Sequence, residues 1–385
     1  MFTRWLSLGK NKNYLLFGPR RAGKTTLLKA QFPHHKYITL DDFDYLEMAE
    51  KDPKALALLA TKLIIDEAQR VPKISIAVKY AIDERKSNIH LSGSSRIGLL
   101  DSNYETLAGR IEPQSLPTFC FGEELGPPTH SIFDDQVSLL QLKNANRLIE
   151  EALLYGGFPE VISCNNNKEK KEILKNYKNT YFTRDLAFIS NIENVSGLLA
   201  ILNHYAISLC SLTQVSNFSN ESGLSHQTAK KYLNVIYQSE LGFKLYGYQY
   251  GPAKRLIKAP KSYFSDNGIL LALGISSSRG QIIENFVISE IEKRRKLKFY
   301  DAEEMYYYQT IGGSEIDLII PFPDHLKVIE IKASENPGKK DLRNLKDFIK
   351  TTKQKVQCYL FYMGLEYKTV DGIKFIPIAA LHRGK

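Results

Sequence analysis

No apolar run in this chain reaches the ~18 consecutive residues of a membrane-spanning helix, so a membrane span is not expected. The opening stretch, MFTRWLSLGKNKN, lacks the apolar core of a secretory leader, and a cytoplasmic location is expected. The four cysteines (Cys120, Cys164, Cys210, Cys358) lie far apart, with no CxxC pair. They read as reduced thiols, mostly in the core, rather than as zinc ligands or a redox pair. Internal repeats and long low-complexity tracts are also missing. What remains is a chain of 385 residues with 43% hydrophobic content. That length implies two or three domains rather than one core. A net charge of +10 favours an acidic partner such as nucleic acid or a membrane surface.

Two segments carry specific chemistry. Gly18-Pro19-Arg20-Arg21-Ala22-Gly23-Lys24-Thr25 fits G-x-x-x-x-G-K-[ST] at every fixed position, and Thr26 opens a helix-like run behind it. Glycines at those places let successive backbone N–H groups turn inward around phosphate oxygens, and the following helix offers its positive end to the same anion. Lys24 would reach the β- and γ-phosphates of ATP, and Thr25 would hold Mg²⁺. The run KLIIDEAQR, Lys62 to Arg70, ends a strand in Asp66-Glu67. Asp66 is placed to bind the metal's water shell and Glu67 to orient the attacking water.

Up to about Gly126, strand-like runs (Tyr14–Phe17, Tyr37–Leu40, Leu63–Asp66, Ile89–Gly93, Gln114–Phe119) alternate with helical ones (Lys24–Gln31, Asp52–Ala60, Ile74–Arg85). Such alternation implies an α/β domain with a parallel sheet and ligands at the carboxyl ends of its strands. Ser94 and Ser95 end the fourth strand there. Their hydroxyls would sense the γ-phosphate or the nucleophilic water, or simply cap the next turn.

Gly126-Pro-Pro-Thr-His-Ser reads as a boundary. From Val137 to Ser208 the pattern is helical. Leu212 to Asp266 reads as a winged helix: a short helix at Thr213–Ser219, then a second at Ser225–Glu240 exposing His226, Gln227, Lys230 and Lys231. The wing is expected as the hairpin Phe243–Tyr250 and Leu256–Ala259, with Lys254, Arg255 and Lys258 at its tip. The module suits DNA, with the second helix in the major groove and the basic wing on phosphate, and equally suits a lid or protein contact.

Behind Ser262, an amphipathic helix over Gln281–Arg295 carries Glu284, and strand-like runs carry Glu315, Asp317, Glu330 and Lys332. Residues two apart on a strand share a face, so adjacent strands would set Asp317 beside Glu330 and Lys332, with Glu284 reaching in from the helix. Glu284, Asp317 and Glu330 would suit Mg²⁺, and Lys332 would help activate a metal-bound water against a phosphodiester. A structural ion pair is the competing reading, because the triplet sits in an apolar strand.

Together these residues, with LSGSS (Leu91–Ser95), LAGR (Leu107–Arg110), GGFPE (Gly156–Glu160), YFTRDL (Tyr181–Leu186), KSYFSDNG (Lys261–Gly268), ENFV, EIDL and EIK, resemble a family. It is that of bacterial and archaeal AAA-type P-loop ATPases ending in a domain of unknown function with a restriction-endonuclease-like, PD-(D/E)xK, fold. The resemblance implies nucleotide binding by Lys24 and Thr25, metal handling by Asp66, a catalytic Glu67 and a sensor at Ser94 or Ser95. It also implies an arginine near the γ-phosphate, for which Arg110 and Arg184 are the candidates. An arginine supplied by a neighbouring subunit would make a homo-oligomer necessary for hydrolysis. The chain departs from the family at Tyr307-Tyr308-Gln309, where an aromatic-Trp-Arg triplet is usual, and so lacks one phosphate contact.

The expected architecture has three parts: an ATPase domain over residues 1–126, a helical lid and winged helix over 127–260, and a nuclease-like domain over 261–385. The expected activity is ATP hydrolysis. Three readouts stay open: nucleic-acid cleavage, nucleotide-gated DNA binding on an inert scaffold, or a protein-interaction switch.

Overall fold

The computed structural model describes residues 2–94, 107–186, 192–248, 259–310 and 313–385, with the side chains of residues 183–185 outside that description. Ser95, the wing-tip residues Lys254, Arg255 and Lys258, and the turn residue Gly312 fall outside it too.

The N-terminal sheet comprises β1 (Asn13–Phe17), β2 (Lys36–Thr39), β3 (Lys62–Asp66), β4 (Asn88–Gly93) and β5 (Ile111–Ser115), ordered β2-β3-β4-β1-β5. All its pairings are parallel. β3 is buried from Leu63 to Asp66, as a strand covered on both faces must be, and its sequence is correspondingly a continuous apolar run. The helices are α1 (Lys24–Gln31), α2 (Phe43–Lys51), α3 (Pro53–Ala57) and α4 (Ile74–Arg85). Asp42 caps α2 by accepting from the N–H groups of Asp44 and Tyr45, and Asp52 with Pro53 opens α3. The fifth strand was expected at Gln114–Phe119 and lies at Ile111–Ser115. Glu112 and Pro113 hide it from an apolar-run reading, and proline is tolerated because β5 is an edge strand.

Helices Leu139–Tyr155, Pro159–Ile162 and Asn167–Tyr177, a π-helical stretch Lys178–Asp185, and helices Val195–Ile207, Val215–Ser222 and His226–Gln238 follow. The second sheet, eight-stranded among the described residues, is built from β6 (Gly242–Gly247), β7 (Lys261–Phe264), β8 (Tyr306–Gln309), β9 (Glu315–Pro321), β10 (Leu326–Lys332), β11 (Val356–Tyr362), β12 (Lys368–Val370) and β13 (Ile373–Pro377). Its order is β12-β13-β11-β10-β9-β8-β6-β7. The hairpin expected to close on Leu256–Ala259 closes on β7 instead, and both its strands belong to this sheet; residues 249–258 lie outside the described residues. β6 pairs antiparallel with β7, Leu245 opposite Lys261, and parallel with β8 through Tyr246 and Gly247. Helix Arg279–Lys296, opened by a Ser278/Gln281 capping box, packs on one face of the sheet, and helix Arg343–Thr351 on the other. One core cluster runs from Phe121 through the helical region to Leu381 and joins the middle and C-terminal regions. All four cysteines are buried and free. Among the described residues no helix is long and apolar enough to cross a membrane.

Candidate functional site

Strand β1 delivers the chain into the Gly18–Thr25 loop at the carboxyl edge of the sheet. Gly18 sits at φ +153°, and a Cβ there would lie 2.1 Å from the Leu116 carbonyl oxygen. Only glycine lets the loop pass so close to the chain leaving β5. Gly23, at φ +90°, turns the chain into α1. Lys24 is buried and donates to the carbonyls of Gly18 and Pro19, both at 2.9 Å. Burial pushes its pKa down to about 8, against the opposing pull of Glu67 and Asp66. The Ala22 carbonyl accepts from Arg4 at 2.7 Å, and Arg21 pairs with Glu160 at 3.1 Å. Arg20 is half-buried, while Thr26 is exposed on the first turn of α1.

Because β4 lies between β1 and β3, the ends of all three strands meet. Thr25 Oγ1 donates to Asp66 Oδ2 at 2.6 Å. Asp66 also accepts from Tyr37 (2.9 Å), Ser92 (2.5 Å) and the Glu67 N–H (3.0 Å). A buried carboxylate held by this many donors beside a hydroxyl is a donor set that fits Mg²⁺, a hard ion taking a hydroxyl and a carboxylate along with phosphate oxygens. Glu67 adopts φ +56°, in the left-handed region, which turns its side chain off the strand direction. Burial raises its pKa, against the Gln69 hydrogen bond and Lys24. The Gln69 amide bridges Glu67 Oε2 and Ser94 Oγ, the latter at 3.3 Å. Gln69, Ser92 and Tyr37 therefore belong to the site. Gln69 had a sequence signal as part of the DEAQ run and Ser92 as part of LSGSS, whereas Tyr37 had none.

Arg110 does not join this constellation. It precedes β5, whose Ile111 stands opposite Asn13 at the start of β1, at the other end of the sheet from the loop. There it pairs with Asp83 at 2.6 Å. Arg184 lies in the π-helical stretch Lys178–Asp185, and its side chain is outside the described residues.

A cavity of about 480 Å³ opens beside the loop, lined by Phe2, Arg4, Gly23, Thr26, Phe119 and Pro159 among others.

The C-terminal acidic residues also converge, though not as expected. The β9–β10 ladder ends at the pair Leu318–Ile329. Past it the Asp317 carboxylate replaces a strand carbonyl by accepting the Ile331 N–H at 2.7 Å. Lys332 donates to Glu330 Oε1 at 2.6 Å, and Glu330 Oε2 is buried with no hydrogen-bond partner. Tyr263 donates to Glu284 Oε1 at 3.0 Å. Burial pushes Glu284 up to about 7, and burial with the Asp317 charge pushes Glu330 well above the carboxylate range; Asp317 is raised by burial too.

Lys261 of β7, 4% exposed, enters this cluster. Its ammonium contacts Glu315, stands 3.7 Å from Glu284 and lies 5.7 Å from the centre of the Tyr307 ring. Among the described residues no group of three His, Cys, Asp or Glu side chains is arranged to hold a metal ion. The expected three-carboxylate site at Glu284, Asp317 and Glu330 is therefore not assembled as a metal centre, and the Lys261 ammonium lies among these carboxylates instead.

Residues 10–125 match the family described as an AAA domain, residues 146–279 a domain of unknown function (DUF8612), and residues 279–381 a domain of unknown function (DUF4143). An N-terminal AAA domain of the P-loop ATPase type is thus combined with a C-terminal DUF4143 domain. An uncharacterized protein of Methanocaldococcus jannaschii is 27% identical over 90% of this chain and 80% of its own length. An uncharacterized protein of Mycobacterium tuberculosis is 25% identical over 84% of this chain and 71% of its own. Among solved structures, a Vibrio cholerae protein superposes with a TM-score of 0.22 at 12% identity, covering 97% of this chain and 96% of that one. A signal transduction ATPase with numerous domains from Pyrococcus horikoshii, which carries a tetratricopeptide repeat sensor, gives 0.21 at 11%, covering 77% and 46%. Scores that low carry no argument about the fold of this chain.

Proposed function

We propose that this chain is a Mg²⁺-dependent ATPase whose nucleotide state is passed to the helical and C-terminal regions. The observation that carries the reading is the 2.6 Å hydrogen bond between Thr25 and Asp66, which unites the loop after β1 with the end of β3. Mg²⁺, when bound with ATP, would neutralise phosphate charge, with Thr25 and Asp66 holding it. Lys24 binds the β- and γ-phosphates, exchanging two neutral carbonyl acceptors for phosphate oxygens. Glu67, oriented by Gln69, positions the attacking water and takes up its proton. Its raised pKa brings it nearer the range where a carboxylate serves as a base. Ser94, on the same amide, is placed to report whether the γ-phosphate is present. The cavity lined by Phe2, Phe119 and Pro159 is the place for the nucleoside, since it opens at Gly23 and Thr26.

Phosphate release under multiple turnover tests the reading. Glu67→Gln is expected to bind ATP as wild type does and to lose turnover by roughly 10²-fold or more, the usual scale for a positioned base. Equal loss of binding and turnover would instead make Glu67 a structural residue.

For the output we favour a nucleotide-gated DNA-binding regulator over a nuclease. Helices Val215–Ser222 and His226–Gln238 with the β6–β7 hairpin support a winged-helix reading, and His226, Gln227, Lys230 and Lys231 are exposed. The division proposed at residues 126 and 260 puts the two helices and β6 in the middle part and β7 in the C-terminal part, so the hairpin straddles that boundary within one sheet. Plasmid incubated with Mg²⁺ or Mn²⁺ is expected to be retained in a salt-sensitive, ATP-dependent way and to stay supercoiled. Nicking that disappears in Asp317→Ala would restore the nuclease reading.

A further inference from the structure

We infer that Arg4 is a positioning residue of the phosphate-binding loop: it pins the Ala22 carbonyl outward and so aims the Gly23 N–H at a phosphate oxygen. The inference rests on the nucleotide reading above and deepens it.

A trans peptide carries its C=O and the next N–H on opposite sides of one plane. Whatever fixes the Ala22 carbonyl therefore fixes the Gly23 N–H, pointing the other way. Arg4 Nη1 donates to that carbonyl at 2.7 Å. The bond is charge-assisted, and such bonds are stronger than those between neutral groups. The Gly23 N–H itself has no acceptor among the described residues. Gly23 also needs a lock. At φ +90° it occupies a region open to glycine, and glycine reaches the alternatives at little cost. A turned-over peptide would present the Ala22 oxygen to the phosphate in place of an N–H and repel it. The guanidinium sits close to this pivot, since a Cβ on Gly23 would lie 3.8 Å from Arg4 Nη1.

Arg4 is itself held in place. Its Nε donates to Glu123 Oε1 at 2.8 Å and its Nη2 to the Pro117 carbonyl at 2.8 Å. Glu123 is fully buried and also accepts the Trp5 N–H at 2.7 Å and the Cys120 N–H at 2.9 Å. The guanidinium lies 4.5 Å from the centre of the Phe119 ring. Acceptors in several fixed directions suit a rigid planar fork, which a lysine ammonium on a flexible stem does not provide.

Arg4 also borders the cavity proposed for the nucleoside, so the test must separate a grip on phosphate from a grip on the nucleoside. Calorimetric titration of the full chain with ATP and with inorganic tripolyphosphate, both with Mg²⁺, does this. Arg4→Lys and Arg4→Gln are expected to weaken both ligands by the same factor, about tenfold or more, the scale of one lost hydrogen bond to a charged group. In turnover the loss should appear in KM with kcat nearly kept, because the N–H holds ground and transition states alike. Weaker ATP binding with tripolyphosphate unchanged would overturn the inference by placing Arg4 on the nucleoside. So would folded variants that bind both ligands as wild type does. Wild type that binds neither ligand would instead remove the nucleotide reading, and this inference with it. Arg4→Gln/Glu123→Gln leaves no buried carboxylate unpaired, and gives the same comparison should Arg4→Gln fold poorly. One measurement needs no variant. In wild type selectively labelled at the Ala22–Gly23 peptide, the Gly23 amide resonance should move downfield when tripolyphosphate binds. A resonance that stays in place while the ligand binds would overturn the inference.

Discussion

Lys24→Ala protein is expected to show no ATP binding in calorimetry at concentrations that saturate wild type, and no turnover. It should nevertheless melt no lower than wild type in the absence of nucleotide. The two outcomes share one cause. Lys24 is a buried ammonium with only carbonyl acceptors at its head, and its pKa is pushed down to about 8 from an ordinary 10.5. Folding without a ligand therefore carries the cost of an ill-solvated charge, and a triphosphate removes that cost when it binds. The pH dependence follows from the same shift. Between about pH 8 and 10.5 the folded chain binds fewer protons at this group than the unfolded chain. Its contribution to stability thus rises with pH through that window and is least favourable below it. Binding of the polyanion restores the ammonium. Wild type at pH 8 should take up about half a proton per ATP, read from binding enthalpies in buffers of different ionisation heat. Proton uptake of the same size in Lys24→Ala would place the titrating group elsewhere.

Asp266→Ala is expected to destabilise the protein by about 3–5 kcal/mol, the scale for removing one partner of a buried charge network. Asp266 is fully buried and accepts from Thr118, from the N–H groups of Gly157 and Gly268, and from Lys293 at 3.2 Å. Lys293 in turn donates to Glu290 and to the Phe119 carbonyl. Glu290 binds Arg294 and the Phe121 N–H. Arg294 reaches the carbonyls of Leu381 and Gly384. One carboxylate thus ties the segment after β5, the Gly156-Gly157 turn and helix Arg279–Lys296 to the chain end. Packing at the turn is as tight as the charges demand. A Cβ on Gly156 would meet Asp266 Oδ1 at 1.7 Å, and one on Gly157 the Phe119 carbonyl oxygen at 2.3 Å. The single tryptophan reports on the same junction, because Trp5 donates to the Gly126 carbonyl and lies against Phe299. Urea unfolding followed by Trp5 fluorescence is the direct measurement. Thr118→Val, which removes one neutral donor, should cost roughly 1 kcal/mol. A loss in Asp266→Ala no larger than that would show the network to be dispensable.

GGFPE and KSYFSDNG stand in the sequence as strings that carry the family resemblance without a role of their own. Their partnership is invisible there, because residues 157 and 266 meet only after the chain has crossed the helical region. Lys261 opens the second of these strings, and its burial among carboxylates is hidden for the same reason. A lysine at the start of a short strand gives no local sign that it will be buried among carboxylates of β9 and helix Arg279–Lys296. Arg110 shows the opposite. The resemblance makes it a candidate γ-phosphate arginine, yet the register of β5 on β1 carries it to the far end of its own chain's sheet from the loop. β5 itself was placed late, since an edge strand need not read as an apolar run.

The amino-acid sequence alone determined the loop from Gly18 to Thr25, the acidic end of β3 and the alternation that makes a parallel sheet. Each depends on chemistry within a few residues: glycines where the backbone must turn, a lysine and a threonine at fixed reach, and apolar runs that demand cover. The tertiary structure alone decided which charges meet. Asp66 gained Tyr37 and Ser92, Asp266 gained Lys293 and Thr118, and Lys261 came to lie among Glu284, Glu315 and Asp317. Those meetings depend on strand order and register, which set contacts between residues tens to hundreds of positions apart and leave no periodic trace in the chain.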